Sequence, residues 1–213
     1  MSVTPGQYNR RSFIHTRLVA AGAEFRETAQ AALATAFPGD PPALGLADLS
    51  PVPRAGVKGR RALSWLGEQG WPVPEANNAA VWSGDGHIVA RLADSEALLL
   101  GPPGGDGDAL TALAAAIPGD GAWATPRNDS HCWFRLQGED AVDCLQKLCG
   151  VDLREHAFPV GAIAQTSVAR LTCIVIRDRE QAFHLLSDSA SAIWFWDTLL
   201  DAMAEFDGGP VGV

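Results

Sequence analysis

Ile88-Val89-Ala90-Arg91 and Ile174-Val175-Ile176-Arg177 are the two stretches whose comparison decides the fold. The run from Ile88 to Ile117 lies on the run from Ile174 to Met203 with a constant shift of 86 positions and no gap. Leu99-Leu100 then falls on Leu185-Leu186, and Leu110, Leu113 and Ile117 fall on Trp196, Leu199 and Met203. Each copy reads as strand, turn, strand, helix. Upstream, Gly59, Ala62, Leu63 and Leu66 fall on Gly138, Ala141, Val142 and Leu145 with a shift of 79, so each unit also begins with a glycine-led helix. One structural unit is therefore written twice.

In the first copy, Arg60 to Gln69 reads as a helix stopped by Gly70, with Pro72 and Pro74 preventing continuation. Strands follow near Ile88 to Arg91 and Ala97 to Leu100, and after a glycine-rich loop Asp108 is placed to cap a short helix that Pro118-Gly119 ends. In the second copy His131 to Leu136 reads as a strand with Cys132, Phe134 and Leu136 on one face and Trp133 and Arg135 on the other. The next helix has Glu139 and Asp140 at its positive end, Lys147 at its negative end and Gly150 as a left-handed stop. Strands near Ala162 to Val168, Cys173 to Arg177 and Ala182 to Leu186 lead to a closing helix from Ser189 to Phe206. Before the repeats, Ile14, Leu18, Ala21, Phe25, Ala29, Ala32 and Ala36 recur at helical steps and predict an N-terminal helix over Ser12 to Phe37. The expected organisation is residues 1–45 as a helical segment with a Pro-rich connection, and residues 46–213 as one domain of two pseudo-repeats, 46–120 and 121–206. The class is α+β, two similar β-α-β-β-α halves.

With 213 residues, 47% of them hydrophobic, the chain can bury a substantial core. Sixteen Lys and Arg against 25 Asp and Glu give a net charge of -9, which disfavours nucleic acid or an anionic membrane as the general partner. Met1 to Arg11 is polar without an apolar leader core, and no apolar run is long enough to span a bilayer, so a cytoplasmic location is expected. Cys132, Cys144, Cys149 and Cys173 sit in apolar segments and read as reduced core thiols.

The chain contains no compact catalytic signature. Gly101 to Asp108 lacks a phosphate-binding glycine series, carries aspartates that would repel phosphate, and reads as a flexible turn. Arg54, Lys58, Arg60 and Arg61 form a basic cluster able to receive an acidic ligand, although a solvated basic face is the simpler reading. Cys144 and Cys149 are five apart on a helix and diverge by roughly 140°, so they form no metal pair. GxSxG and HExxH are both absent. On the closing helix, steps of 100° place Ile193, Phe195, Trp196, Leu199, Leu200, Met203 and Phe206 on one core face and leave Trp194 opposite, among Ser191, Asp197, Thr198, Asp201 and Glu205. Trp194, and Trp133 on its strand, are candidate anchors for another chain; alternatively each indole covers a neighbouring loop.

Phe134-Arg135-Leu136-Gln137-Gly138 leading into Ala141 to Cys149, together with the paired halves, resembles the folate-binding fold of the glycine-cleavage aminomethyltransferases. In size, and in the ending Ile193-Trp194-Phe195-Trp196-Asp197-Thr198-Leu199-Leu200, the chain is also similar to the gamma subunits of heterotetrameric sarcosine oxidases, over roughly Leu46 to Phe206. The resemblance implies assembly with alpha, beta and delta chains into a complex that oxidises an N-methyl amine and passes the one-carbon unit to tetrahydrofolate. It implies that FAD, FMN, NAD, zinc and tetrahydrofolate belong to those partners, with no cofactor, metal or catalytic residue here. Transferases of this fold engage folate with an aspartate in an Asn/Gly/Asp-rich turn; the corresponding turn, Ser167 to Thr172, contains no acid. A second reading is a stand-alone folate-binding protein or folate-dependent aminomethyltransferase using Asp152, Asp178 or the basic cluster. A third, an iron-sulfur maintenance protein of the same fold, lacks its Lys-Gly-Cys-Tyr-type motif.

Overall fold

The structure is a computed structural model that describes residues 3–213; Met1 and Ser2, which the polar N-terminal reading included, lie outside the described residues. A 3₁₀ turn (Pro5–Gln7) precedes helix α1 (His15–Ala20) and a hairpin of β1 (Glu24–Thr28) and β2 (Ala31–Ala36). The first series is β3 (Gly45–Asp48), β4 (Arg54–Lys58), α2 (Ala62–Glu68), β5 (Ala79–Trp82), β6 (Ile88–Ala93), β7 (Glu96–Leu100) and α3 (Asp108–Ala116). The second is β8 (Trp123–Ala124), β9 (His131–Gln137), α4 (Ala141–Gln146), β10 (Ile163–Val168), β11 (Leu171–Arg179), β12 (Ala182–Asp188) and α5 (Ala192–Met203), after which β13 (Gly209–Pro210) closes the chain. The two series match element for element.

Two sheets result, in the orders β5-β6-β7-β4-β8 and β10-β11-β12-β9-β3-β13. The leading strands are exchanged. β3 leads the first series but pairs antiparallel with β9 of the second, whereas β8 leads the second series and pairs antiparallel with β4 of the first. At the far edge the sheets are stitched by Ala80 N–H to the Gly161 carbonyl (2.7 Å) and Ile163 N–H to the Asn78 carbonyl (2.9 Å).

Strand alternation then sorts the side chains into three layers. Ile88, Ala90, Leu98 and Leu100 of one sheet meet Trp133, Ile174, Ile176 and Leu186 of the other in an inner layer. Val57, Val89 and Leu99 face α2 and α3 on one outside, and Phe134, Leu136, Val175, Phe183 and Leu185 face α4 and α5 on the other. Each large apolar side chain placed in such a layer contributes about 1.5–3 kcal/mol relative to exposure.

Several local expectations are corrected. Ser12 to Phe37 is α1 followed by a hairpin rather than one helix: Gly22 turns the chain in a left-handed conformation, and Phe25, Ala32 and Ala34 pack into the helix-side core while Leu33 enters the inner layer. Alanine satisfies both periods, so tertiary packing overrides its helix propensity. Gly107, with φ +83, holds the cap position of α3, so Asp108 is the first helical residue rather than the cap, and its N–H donates to Asp106 Oδ1. Gly150 is not left-handed, because the chain after α4 is drawn into a bridge between Cys149 and Val168. On α5, Ile193 lies 41% exposed instead of in the core; the buried stripe is Phe195, Trp196, Leu199, Ala202 and Met203.

The glycine that opens each α-helix after β4 or β9 is fixed by the exchange. Gly59 and Gly138 have φ of +139 and +141, and a Cβ would overlap the Gly121 carbonyl oxygen at the first and the Ala43 carbonyl oxygen at the second, each just ahead of an exchanged strand. Gly59→Ala and Gly138→Ala are each expected to cost at least about 2 kcal/mol, lowering Tm by about 2–4 °C per kcal/mol in thermal denaturation. Gly67→Ala, on open space in α2, is expected to raise stability by about 0.5–1 kcal/mol.

Candidate functional site

β9 presents Trp133, Arg135 and Gln137 toward the first sheet, the same face on which its neighbour β12 carries His184 directly opposite Arg135. A bulge between Arg177 and Arg179 on β11 brings Asp178 to this group. Trp133 Nε1 donates to His184 Nδ1 at 3.0 Å. An indole N–H can only donate, so Nδ1 is the acceptor and the imidazole proton sits on Nε2, 3.7 Å from Asp178 Oδ2. Asp178 Oδ2 accepts from Arg135 Nε (2.9 Å) and Nη2 (2.7 Å), and Arg135 Nη1 donates to Gln137 Oε1. Burial pushes the His184 pKa down to about 4, with Asp178 opposing and Arg135 reinforcing the shift.

This network forms one wall of a cavity of about 380 Å³ whose other wall includes Trp82 and Ile88 of the first sheet. The size suits a small molecule, with a floor of about 300 Å³ for ligand pockets. A larger cleft of about 670 Å³, lined by Phe37 to Pro42 and Gly209 to Gly212, shares Gln137 and Gly212 with it. The inner groups are bonded to one another, which makes the wall rigid.

A second buried polar cluster marks the crossing of the exchanged strands. Arg54 Nη2 donates to the Asn128 (2.6 Å) and Ser50 (3.3 Å) carbonyls, the Arg54 N–H donates to Asn128 Oδ1 (2.8 Å), and Arg10 reaches the Pro51 and Ser50 carbonyls. Burial lowers the Arg54 pKa to about 10 and raises that of Asp48, whose Oδ1 accepts the Ser50 N–H at 3.0 Å. The Arg54 guanidinium lies 5.8 Å from the centre of the Trp133 ring.

The structure separates the sequence candidates. Trp133 is only 1% exposed and is therefore no surface anchor: its strand packs on both faces, on helices and on a second sheet, where the sequence reading assumed one apolar face. Trp194 is 49% exposed on the outer side of α5. In the proposed basic cluster Arg54 is buried, Lys58 pairs with Glu96 (2.9 Å), and Arg61 lies 4.0 Å from Asp120. Asp152 is exposed and held below the usual carboxylate range by Arg154. Asp178 alone among the candidate acids joins the inner wall.

The turn without an acid keeps a demanding backbone. Ala169 and Arg170 both have positive φ, +49 and +65, the pattern of a two-residue hairpin normally served by Asn-Gly. It sits at the opposite end of β11 from Asp178. Burial raises the Cys132 thiol pKa to about 12, that of Cys144 to about 11, and that of Cys173 well above the ordinary value, so these sulfurs are protonated packing groups. Among the described residues no group of three or more His, Cys, Asp or Glu is gathered for a metal, and no helix is long and apolar enough to cross a membrane.

The family profile described as the GCVT N-terminal domain matches residues 14–213. The chain is 27% identical over 142 residues to the sarcosine oxidase subunit gamma of Corynebacterium sp. (strain P-1), covering 67% of this chain and 69% of that one. The subunit gamma of Arthrobacter sp. is 27% identical over 138 residues, 64% of this chain and 66% of that one. Among solved structures, the heterotetrameric sarcosine oxidase of Corynebacterium sp. U-96 in complex with pyrrole 2-carboxylate contains a chain matching with a TM-score of 0.73 and 22% identity, covering 95% of this chain and 99% of that chain. The glycine cleavage system aminomethyltransferase T of Bartonella henselae matches with a TM-score of 0.71 and 17% identity over 95% of this chain and 59% of that one. Both share the fold described above.

Because His184 resists protonation in the folded state, the unfolded chain binds a proton first as pH falls below 6.5, and stability is lost as pH drops toward the folded value of about 4. The loss assigned to His184 is about 3 kcal/mol, and His184→Gln is expected to flatten that part of the profile in urea unfolding between pH 7 and 4. Arg170→Gly is expected to stabilise the fold by about 1 kcal/mol by removing a left-handed side-chain penalty, read as a higher urea midpoint with an unchanged slope.

Proposed function

This chain belongs to the GCVT N-terminal domain family, and on that premise we propose that it is a non-catalytic structural subunit of a flavin-dependent, heterotetrameric sarcosine-oxidase-like complex. The complex oxidatively demethylates an N-methyl amino acid and passes the one-carbon unit to tetrahydrofolate. Alpha, beta and delta chains are its partners and carry the flavins, the nicotinamide cofactor, the zinc and the folate. The observation that carries this reading is extent: the shared fold takes up 99% of the sarcosine oxidase chain but 59% of the aminomethyltransferase. Protonated buried thiols and a folate-type turn holding Ala169 and Arg170 in place of an acid support a scaffold over a transferase.

The inner cavity beside Trp133, Arg135 and His184 favours a second reading, a stand-alone folate-binding protein or aminomethyltransferase. Two measurements separate them. Co-expressed with alpha, beta and delta chains of a heterotetrameric sarcosine oxidase, this chain is expected to co-purify as a stable complex; elution as a free monomer under mild conditions would sink the subunit reading. Calorimetric titration of the isolated chain with tetrahydrofolate is expected to give no saturable heat, and tight stoichiometric binding would establish the second reading instead.

A further inference from the structure

We propose that the outer surface of α5 is the docking face for a basic, Lys- or Arg-bearing segment of a partner polypeptide, with Trp194 as its apolar anchor. The inference rests on the subunit reading and deepens it by naming the surface and the chemistry of the chain that covers it.

α5 presents two unlike sides. Phe195, Trp196, Leu199 and Met203 are buried against the second sheet, and Phe134 packs on both Phe195 and Trp196 with ring centres 5.7 and 5.2 Å away. The core therefore has its aromatic complement without Trp194. Ile193 and Trp194 stand 41% and 49% exposed beside each other, and the Trp194 carbonyl accepts from Thr198 Oγ1 at 2.8 Å. An exposed indole on a rigid helix provides large contact area at low entropic cost, the property of an interface hot spot.

Charge selects the occupant. From Ser189 to Phe206 there is no Lys, Arg or His, whereas Asp197, Asp201 and Glu205 follow Trp194 along the exposed side. Among the described residues two cations reach this side, and both are engaged: Arg17 of α1 grips Asp197 (2.8 Å), and Lys147 at the end of α4 holds Glu205 (2.7 Å) and the Ala202 carbonyl (3.0 Å). Asp201 has no ion-pair partner among the described residues, and neither do Glu139, Asp140 and Asp143 at the start of the adjoining α4, nor Asp188 and Asp207 flanking α5. A nucleic acid or anionic membrane is repelled by this potential. A second copy docked through the same face about a two-fold axis would set acid against acid. A cationic segment with a pocket for the indole satisfies both the apolar and the electrostatic demand.

The test uses the whole co-expressed complex, with wild type, Trp194→Ala, Asp201→Lys and, as a control on another exposed surface, Trp123→Ala. Thermal unfolding of each free chain serves as the folding control; both α5 substitutions are solvent-facing and are expected to leave Tm unchanged. Trp194→Ala is expected to weaken capture of the partners by roughly 30-fold or more. Asp201→Lys is expected to slow association several-fold and to reduce its sensitivity to salt, and Trp123→Ala to do neither. Wild-type assembly with unaltered assembly of both α5 variants overturns the docking face and leaves the subunit reading standing. Failure of the wild type to assemble overturns both. A concentration-dependent dimer of the free chain that Trp194→Ala abolishes would identify a second copy as the occupant and overturn the basic-partner assignment.

Discussion

The exchange of leading strands is the constraint on which the rest of this molecule depends. β3 completes the sheet of the second series and β8 that of the first, so neither series can present a finished sheet edge without a strand that the chain delivers from the other. The two connecting segments must cross, and the crossing is held by directional bonds. Arg54 and Arg10 donate to carbonyls of Ser50, Pro51 and Asn128, Leu49 N–H donates to the Trp133 carbonyl, and Trp133 N–H donates to Ser50 Oγ. Two glycines in backbone conformations closed to other residues let the exchanged strands approach, one per series. Burying Arg54 is costly, as its lowered pKa and its unpartnered Nε and Nη1 reflect, and only Nη2 reaches the Ser50 and Asn128 carbonyls at the crossing.

From that crossing follows the layered core. With both sheets completed and stacked, each strand has two packing faces, and the inner one must accommodate side chains that a lone sheet would have turned to water. Trp133 is the pivot between the two buried polar clusters: its ring lies near Arg54 on one side, and its N–H fixes the tautomer of His184 on the other. His184 in turn stands beside the Arg135–Asp178 pair at the cavity wall. Residues suited to acid-base chemistry are here bonded to one another, and the sulfurs are buried as neutral thiols. The polar interior thus stabilises geometry, and the outward-facing aromatic on α5 is left as a feature that the fold itself does not consume.

The sequence by itself determined the strand, turn, strand, helix core of each series and the helix that the matching glycines 59 and 138 lead into, since these follow from local hydrophobic period, whereas β3, β4, β5 and β8 came only with the tertiary structure. It also determined that Trp194 faces outward, because 100° steps along a helix leave one side without apolar neighbours. Only the tertiary structure decided that Ser12 to Phe37 makes a helix and a hairpin, that Trp133 and Arg54 are buried, and that Asp178, His184 and Arg135 meet. Alternation along β9 showed which residues share a face, but not that a second sheet covers that face. The physical reason is range: periodicity records the environment of one element at a time, whereas strand exchange and sheet stacking join residues far apart in the chain, and no local pattern encodes them.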